Sequence, residues 1–376
     1  MRDVLVIGGG IIGLLTAREL RLSGAEVTLI EMGETGRESS WAGGGIVSPL
    51  YPWRVPEPIT ALSRWSQGLY PTLTNQLLDE TGIDPEFTIN GLLVLDDEDL
   101  DLALDWGARH GQPIEILQEP GPHALEPELG PRPARALHLP GIAQLRPPRL
   151  SKAVRRALEK RIDLREREEV CELLVEQGRV RGVRTPKGQV EAKRIVICAG
   201  AWTAKLLEQL GTPPDIQPVR GQMLLFHAKP GQINHITLHA GRYAIPRRDG
   251  RVLFGSTLEH AGFVKRTTAE DKEALYHDAI DLFPVLRRTP IEDHWSGLRP
   301  GSPSGIPYIG AYPGIEGLYF NAGHFRNGLV MGPASARLMV DLMLDREPIL
   351  DPAPYALNAA RSIPDRPDVE APARPS

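Results

Sequence analysis

The 376-residue sequence has only two cysteines, Cys171 and Cys198. A disulfide framework is therefore excluded, and so is a cysteine-rich zinc or iron–sulfur site. Long apolar runs are scarce: residues 4–17 are apolar, but they are too few to span a bilayer and include three consecutive glycines. There is no excess of basic charge, because 43 Lys and Arg stand against 48 Asp and Glu. We therefore expect a cytoplasmic protein with no nucleic-acid or membrane partner.

The order of predicted elements indicates the fold class. Residues 3–7 form an apolar strand, residues 11–22 have helical spacing, and residues 26–30 form a second strand, which together make a βαβ unit with parallel strands. Residues 219–227, 243–247 and 251–256 alternate instead like antiparallel strands. We predict an α/β protein in which a Rossmann-like domain is interleaved with a mainly antiparallel-sheet domain of α+β character.

The predicted domains are discontinuous in sequence. The first comprises residues 1–48, 140–215 and 306–350, and the second comprises residues 49–139 and 216–305. Residues 119–148 are rich in Pro and Gly and are predicted to be an irregular connection. Residues 351–376 contain six prolines and few large apolar groups, which predicts a disordered tail.

A glycine motif at the start of the chain predicts a dinucleotide site. Gly8, Gly10 and Gly13 follow a strand and open a helix in the spacing GxGxxG, and Glu31 ends the next strand. The first glycine permits the tight turn, the second lets the backbone approach a pyrophosphate, and the third lets the helix pack on the strand. Glu31 can accept hydrogen bonds from a ribose hydroxyl and would repel the additional phosphate of NADP.

Two further glycine patches favour FAD over NAD. Residues 43–45 are all glycine and follow closely after Glu31, which suits a ligand that extends beyond its adenosine. Residues 323–328 read GHFRNG and precede the last predicted helix, whose N-terminus could face the flavin where negative charge develops on reduction. Both patches could instead be ordinary loop glycines.

Several longer segments carry a family resemblance. The sequences ESSWAGGGIVS, ICAGAWT, HWSGLRPGSPSGIPYIG and NAGHFRNGLVMGPASARLMVDLM stand in the order typical of FAD-dependent amine oxidases of the D-amino-acid oxidase family. Within that family the chain most resembles the bacterial glycine oxidases of the thiamine pathway, from Asp3 to about Leu350. The resemblance implies non-covalently bound FAD, covered by a sheet-based substrate domain.

The resemblance also implies the site residues. Arg299 corresponds to the arginine that binds the substrate carboxylate, Tyr243 to the active-site tyrosine, and Arg326 to an arginine lining the substrate pocket. With the glycine motif, the implied FAD contacts are Gly8, Gly10, Ile11, Ile12, Gly13, Glu31, Met32, Ser39, Ser40, Gly44, Gly45, Ile46, Val170, His324, Phe325, Arg326, Asn327, Gly328, Leu329 and Val330.

The residue types agree with these roles, and structural alternatives remain open. An Arg guanidinium matches a planar carboxylate with two parallel hydrogen bonds. Arg299 could instead form a surface salt bridge, Tyr243 could be a strand aromatic, Arg326 could lie on the surface at a helix start, and His324 could serve only to shape its loop. No cysteine follows Cys198, so we predict no covalent flavin link through cysteine. No metal-binding motif is present, and no metal site is predicted.

The predicted activity is FAD-dependent oxidative deamination of glycine, sarcosine and small D-amino acids. The products would be the imino acid or glyoxylate, ammonia and hydrogen peroxide formed from O2. By resemblance we expect a homotetramer that passes dehydroglycine to thiazole synthase. Two alternatives stay open: a D-amino-acid dehydrogenase that reduces a quinone, and the flavin subunit of a heteromeric complex of the sarcosine oxidase type.

Overall fold

The computed structural model describes residues 2–96, 98–131 and 135–361. Its helices are α1 (Ile11–Leu22), α2 (Ser39–Ala42), α3 (Glu57–Thr81), α4 (Leu100–His110), α5 (Gly121–Leu125), α6 (Pro147–Leu158), α7 (Thr203–Leu207), α8 (Ala269–Leu282) and α9 (Gly328–Met343). Its strands are β1 (Arg2–Ile7), β2 (Val27–Ile30), β3 (Thr88–Ile89), β4 (Leu92–Val94), β5 (Glu115–Gln118), β6 (Arg135–Leu139), β7 (Ala143–Gln144), β8 (Asp163–Arg165), β9 (Glu172–Glu176), β10 (Arg179–Thr185), β11 (Gly188–Ile197), β12 (Gln217–His227), β13 (Ile236–His239), β14 (Arg242–Pro246), β15 (Arg251–Gly255), β16 (Ile291–Gly301), β17 (Tyr308–Ala311) and β18 (Leu318–Ala322).

The first sheet has a parallel centre. Its strand order is β17-β18-β11-β1-β2-β8, and β1 pairs in parallel with both β2 and β11. Every residue of β2 is buried, as expected for a strand covered on both faces. Helices α1, α3, α6 and α9 contribute to the hydrophobic core on one face, while β9 and β10 extend from β11 as antiparallel strands. The predicted βαβ unit is present, with α1 at the predicted bounds.

The second sheet is mainly antiparallel, with the order β16-β12-β15-β14-β13-β4-β6-β5. Its longest pair, β12 with β16, places Arg299 opposite Val219, and the pairing of β14 with β15 places Tyr243 opposite Gly255. Separate hydrophobic clusters cover its two faces. The predicted α/β fold class is confirmed.

The Pro- and Gly-rich stretch from residue 119 to 148 corrects one expectation. It contains α5 and two strands, β6 and β7, rather than an irregular connection alone. Strand β6 lies between β4 and β5 in the second sheet, and its residues Ala136 to Leu139 are buried. The local composition hides this strand because its partners come from other parts of the chain.

Helix α3 packs against the first sheet, and the residues that follow Asp351 are ordered up to residue 361. Ile59, Tyr70 and Leu77 of α3 pack into the core of the first sheet, whereas the sequence places residues 49–139 in the predicted second domain. Tyr355 is 1% exposed, and its hydroxyl donates to the Pro58 carbonyl at 2.8 Å, so predicted disorder is wrong for residues 351–361. The rest of the predicted tail lies outside the described residues, and the domain boundaries stay a prediction.

Among the described helices, none combines the length and apolar character needed to cross a bilayer.

Candidate active site

A cavity of about 510 Å³ lies where the two sheets meet. Its lining includes the residues that follow the carboxyl ends of β1, β2, β11 and β18, which is where open α/β sheets bind ligands. Strands β12, β14 and β16 of the second sheet form the remaining part of the wall. The cavity is thus bounded by the glycine motif on one side and by Tyr243 and Arg299 on the other.

The turn after β1 has the geometry that a phosphate-binding turn needs. Gly8 has φ +104°, and a Cβ on Gly13 would lie 1.9 Å from the Gly8 carbonyl oxygen, so both positions require glycine. Helix α1 begins at Ile11, whose N–H donates to Ser40 Oγ at 2.8 Å. The other free N–H groups of the first helical turn form a site for an anion.

Glu31 is fixed at the edge of this turn. Its carboxylate accepts hydrogen bonds from the N–H of Gly9 at 2.6 Å and the N–H of Gly33 at 2.8 Å. Burial raises the pKa of the Glu31 carboxyl, and the two N–H donors oppose that shift. A carboxylate has about four acceptor positions. Glu31 therefore retains acceptor capacity for ribose hydroxyls.

The second glycine patch passes between the two sheets. Gly45 has φ +90°, and a Cβ there would lie 2.0 Å from the Leu145 carbonyl oxygen; a Cβ on Gly44 would lie 3.2 Å from Tyr243 Cε2. The buried Arg247 supports this loop by donating to the carbonyls of Gly44 at 2.6 Å and Leu145 at 2.9 Å. The glycines therefore let the loop approach the second sheet closely.

The third patch lies at the N-terminus of α9. His324 is buried, and its Nε2 lies 2.9 Å from Ser335 Oγ, while its Nδ1 has no hydrogen-bond partner within the described chain. Burial lowers the pKa of His324 to about 3, which keeps the ring neutral. Asn321, which also lines the cavity, has a similarly unpartnered Oδ1. These polar atoms, with the free N–H groups at the start of α9, are suited to bind a polar ring system.

Arg299 lies in the part of the wall formed by β16. Its Nη2 donates to Ser256 Oγ at 2.5 Å, and its Nη1 donates to the Thr257 carbonyl at 3.2 Å. Burial lowers the pKa of the Arg299 guanidinium, the nearby Arg326 lowers it further, and Tyr243 opposes the shift. An arginine nevertheless keeps its charge at neutral pH. The cavity therefore contains a fixed positive charge beside a phenol.

Tyr243 and Arg326 complete this end of the cavity. Tyr243 is 7% exposed, and its hydroxyl lies 4.0 Å from Met223 Sδ. Arg326 is half-buried and lines the same cavity, and its side chain has no hydrogen bond or ion pair within residues 2–96, 98–131 and 135–361. Two guanidinium groups that line the same cavity favour an anionic ligand.

These features fit FAD. The first glycine turn and α1 would hold the pyrophosphate, Glu31 the ribose, and the start of α9 with His324 the flavin. Both cysteines line the cavity, and burial raises the pKa of the Cys198 thiol to about 12, which makes Cys198 a poor nucleophile. Cys198 is therefore unsuited to form a covalent link with the flavin.

Of the predicted site residues, all but two line the cavity. Gly13 lies behind the turn against Gly8, and Val330 packs in the helical core of the first sheet. Gly221, Met223 and Asn321 also line the cavity, and Arg299 contacts Ser256 and Thr257; none of these features is predicted from the sequence. A Gly-Ser-Thr triplet at the end of a strand carries no signal of such a role.

Comparisons with known proteins agree with this geometry. A family model described as FAD-dependent oxidoreductase (DAO) matches residues 3–342. The glycine oxidase of Pseudomonas aeruginosa is 51% identical over 94% of this chain and 98% of its own length. The crystal structure of glycine oxidase from Geobacillus kaustophilus has a TM-score of 0.91 at 29% identity, covering 96% of this chain and 99% of that chain. The bifunctional protein ThiO/ThiG of Trichormus variabilis is 30% identical over 94% of this chain, which covers 55% of that protein.

Proposed function

Because the chain belongs to the DAO family of FAD-dependent oxidoreductases, we propose that it catalyses the oxidative deamination of glycine, with O2 as the electron acceptor. The observation that carries this proposal is the Arg299 guanidinium, which lies in the wall of the cavity and, among the described residues, donates hydrogen bonds to neutral oxygens. Its remaining N–H donors match the carboxylate of an amino acid. Names of relatives in two bacterial genera support glycine as the substrate.

The two arginines also act on the amino group of the substrate. A primary amine is protonated at neutral pH, and hydride can leave its α-carbon only from the neutral amine. Positive charge on Arg299 and Arg326 disfavours a second cation nearby and so lowers the pKa of the bound amine. The lining residues that the second sheet contributes include no carboxyl group. This wall thus lacks a carboxylate base for removal of an α-proton, in agreement with hydride transfer.

When bound, FAD would supply the redox chemistry as the acceptor of the hydride and the donor of two electrons to O2, which with two protons gives hydrogen peroxide. The chain itself orients the substrate and excludes water. Tyr243 and Met223 close the wall beside Arg299. Release of the imino acid and its hydrolysis then give glyoxylate and ammonia. Sarcosine and small D-amino acids present the same carboxylate and belong to the proposed substrate range.

The test is a substrate panel with the purified, FAD-loaded protein. Glycine, sarcosine and D-alanine are each assayed for peroxide release and oxygen uptake, and in parallel for reduction of an artificial quinone. We expect stoichiometric peroxide with glycine. Quinone reduction without oxygen uptake would instead identify a dehydrogenase, and absence of turnover by the single chain would identify the subunit of a heteromeric complex.

Three further statements belong to the same proposal. The joining of ThiO and ThiG in one cyanobacterial protein supports hand-over of dehydroglycine to thiazole synthase. The exposed free thiol of Cys171 fits the reducing cytoplasm. The family resemblance supports a homotetramer, which sedimentation of the FAD-loaded protein would distinguish from a monomer or a dimer.

A further inference from the structure

The Arg299 guanidinium is packed closely against the backbone of Gly221. A Cβ on Gly221 would lie 2.1 Å from Arg299 Nη1 and 2.4 Å from its Cζ, so only glycine leaves room for the group at that point of β12. On the side of Ser256 and Thr257, the guanidinium donates to one hydroxyl and one carbonyl. Gly221 and the consecutive residues Ser256 and Thr257, which are all distant from Arg299 in sequence, therefore define its position.

The Ser256–Thr257 segment is itself anchored. The Thr257 hydroxyl donates to Glu259 Oε1 at 2.6 Å and accepts from the N–H of Gln222 at 2.8 Å. The Ser256 carbonyl accepts a hydrogen bond from Arg242 Nη1. Both residues are more than nine-tenths buried, at 5% and 6% exposure. The two acceptors for Arg299 are consequently fixed before any substrate arrives.

The chemical type of these acceptors matters. A carboxylate beside Arg299 would also fix its position, but it would compete with the substrate for the positive charge. The structure shows no ion pair for Arg299 within the part of the chain that it describes, and the Ser256 hydroxyl and the Thr257 carbonyl, which accept its hydrogen bonds, are neutral. They restrict the rotamers of a long side chain and leave its charge available, which is the arrangement that preorganised binding requires.

We propose that Ser256 is a positioning residue for carboxylate recognition, because its hydroxyl fixes the plane of the Arg299 guanidinium where that group packs against Gly221. The inference rests on the proposed function insofar as the carboxylate is that of glycine. Removal of the hydroxyl leaves the guanidinium charged and present, but lets it rotate out of the plane that a bidentate carboxylate needs.

The experiment uses the FAD-loaded variant Ser256→Ala. We expect its KM for glycine to rise about 10-fold while kcat stays within about twofold, since a hydrogen bond to a charged group is lost. Acetate binding, followed through the absorbance of the bound flavin, should weaken by a similar factor. Ser66→Ala is the matched control, because Ser66 is a fully buried serine whose hydroxyl accepts from the N–H of Ala334 in the helical core. It should change neither quantity.

The Arg299→Ala background tests whether Ser256 acts through Arg299. There, Ser256→Ala should change kcat/KM by less than about twofold, since no guanidinium remains to be positioned. Equal losses in both backgrounds would overturn the proposal, and so would an unchanged KM and acetate affinity in the single variant. Ser256→Gly removes the same hydroxyl and replaces Ser256→Ala if the latter does not retain FAD.

The outcome separates this inference from the proposed function. If the wild-type protein does not oxidise glycine, the proposed function fails. Acetate binding by the wild-type protein and by Ser256→Ala still tests whether Ser256 positions Arg299 for a carboxylate. If the wild-type protein oxidises glycine and Arg299→Ala impairs it, but Ser256→Ala does not, only the positioning role of Ser256 is wrong.

Discussion

Replacing Arg299 with alanine removes the guanidinium that we place against the substrate carboxylate. The change should leave FAD bound, because Arg299 lies in the wall formed by β16, whereas the glycine turn and Glu31 follow strands of the first sheet. The Ser256 hydroxyl and the Thr257 carbonyl would lose their donor, but the space that the Arg299 side chain leaves joins the cavity that Arg299 lines, so water can replace the lost donor. The loss should therefore appear in catalysis rather than in folding.

The size of the effect follows from the environment of Arg299. Loss of a charge-assisted bidentate contact in a desolvated site costs about 2–5 kcal/mol. Arg326 lines the same cavity and still attracts the carboxylate, which places the expected loss in the lower part of that range. Since about 1.4 kcal/mol corresponds to a factor of ten, kcat/KM for glycine should fall about 30-fold or more. Lysine at this position should restore only part of the lost kcat/KM, because an ammonium group lacks the planar pair of donors that a guanidinium offers.

The assay is initial-rate peroxide release with glycine, and flavin absorbance confirms that the variant is loaded. The comparison substrate is ethylamine, which has no carboxylate and should be a poor substrate for the wild-type protein. The Arg299→Ala change should lower the rate of peroxide release much less with ethylamine than with glycine. Equal losses on both substrates would refute the reasoning and show that Arg299 supports the fold or the flavin, and Arg326 would then become the first candidate for carboxylate binding.

Three further outcomes concern the cofactor and the buried histidine. Glu31→Ala should lower FAD content more than it lowers turnover per bound flavin, because the ribose contact is remote from the reacting atoms; unchanged FAD content would make Glu31 a structural carboxylate. Acid precipitation should release the flavin, since Cys198 is unreactive, and yellow protein in the pellet would show a covalent link. Between about pH 6.5 and pH 3 the unfolded chain protonates His324 while the folded apoprotein does not, so His324 should contribute a loss of stability of about 1.4 kcal/mol per pH unit on acidification. In urea unfolding the variant His324→Gln should lose that pH dependence, and the exposed-site control His260→Gln should keep it.

The parts of the fold that the sequence could predict are those set by local chemistry. The glycine spacing, the apolar run of β1 and the helical spacing of α1 lie within thirty residues of one another, and each reports its own conformation. Glu31 is recognisable because a parallel β2 places it beside the glycine turn. Helices α3 and α9 are predictable too, because they are long and their apolar residues recur at helical spacing.

The parts that could not be predicted depend on partners far away in the chain. Strand β6 has little local signal, and its place in the sheet is set by β4 and β5. Helix α3 was recognisable as a helix, but its apolar face is buried by α9, more than two hundred residues later. Tyr355 is ordered because it reaches Pro58, which composition alone cannot reveal.

At the substrate end of the site, too, one side chain is recognisable from the local sequence, whereas its position depends on residues that are distant in the chain. Arg299 is recognisable by its motif, but an arginine alone does not define a carboxylate site, because its long side chain can adopt many rotamers. The position of the guanidinium is set by Gly221 on β12 and by Ser256 and Thr257 after β15. Strands β12 and β15 come close to β16 only in the folded sheet. The motif therefore identifies the charged group, whereas the antiparallel register determines where that charge is held. A change in that register, even with Arg299 retained, would be expected to cost substrate affinity before it cost FAD.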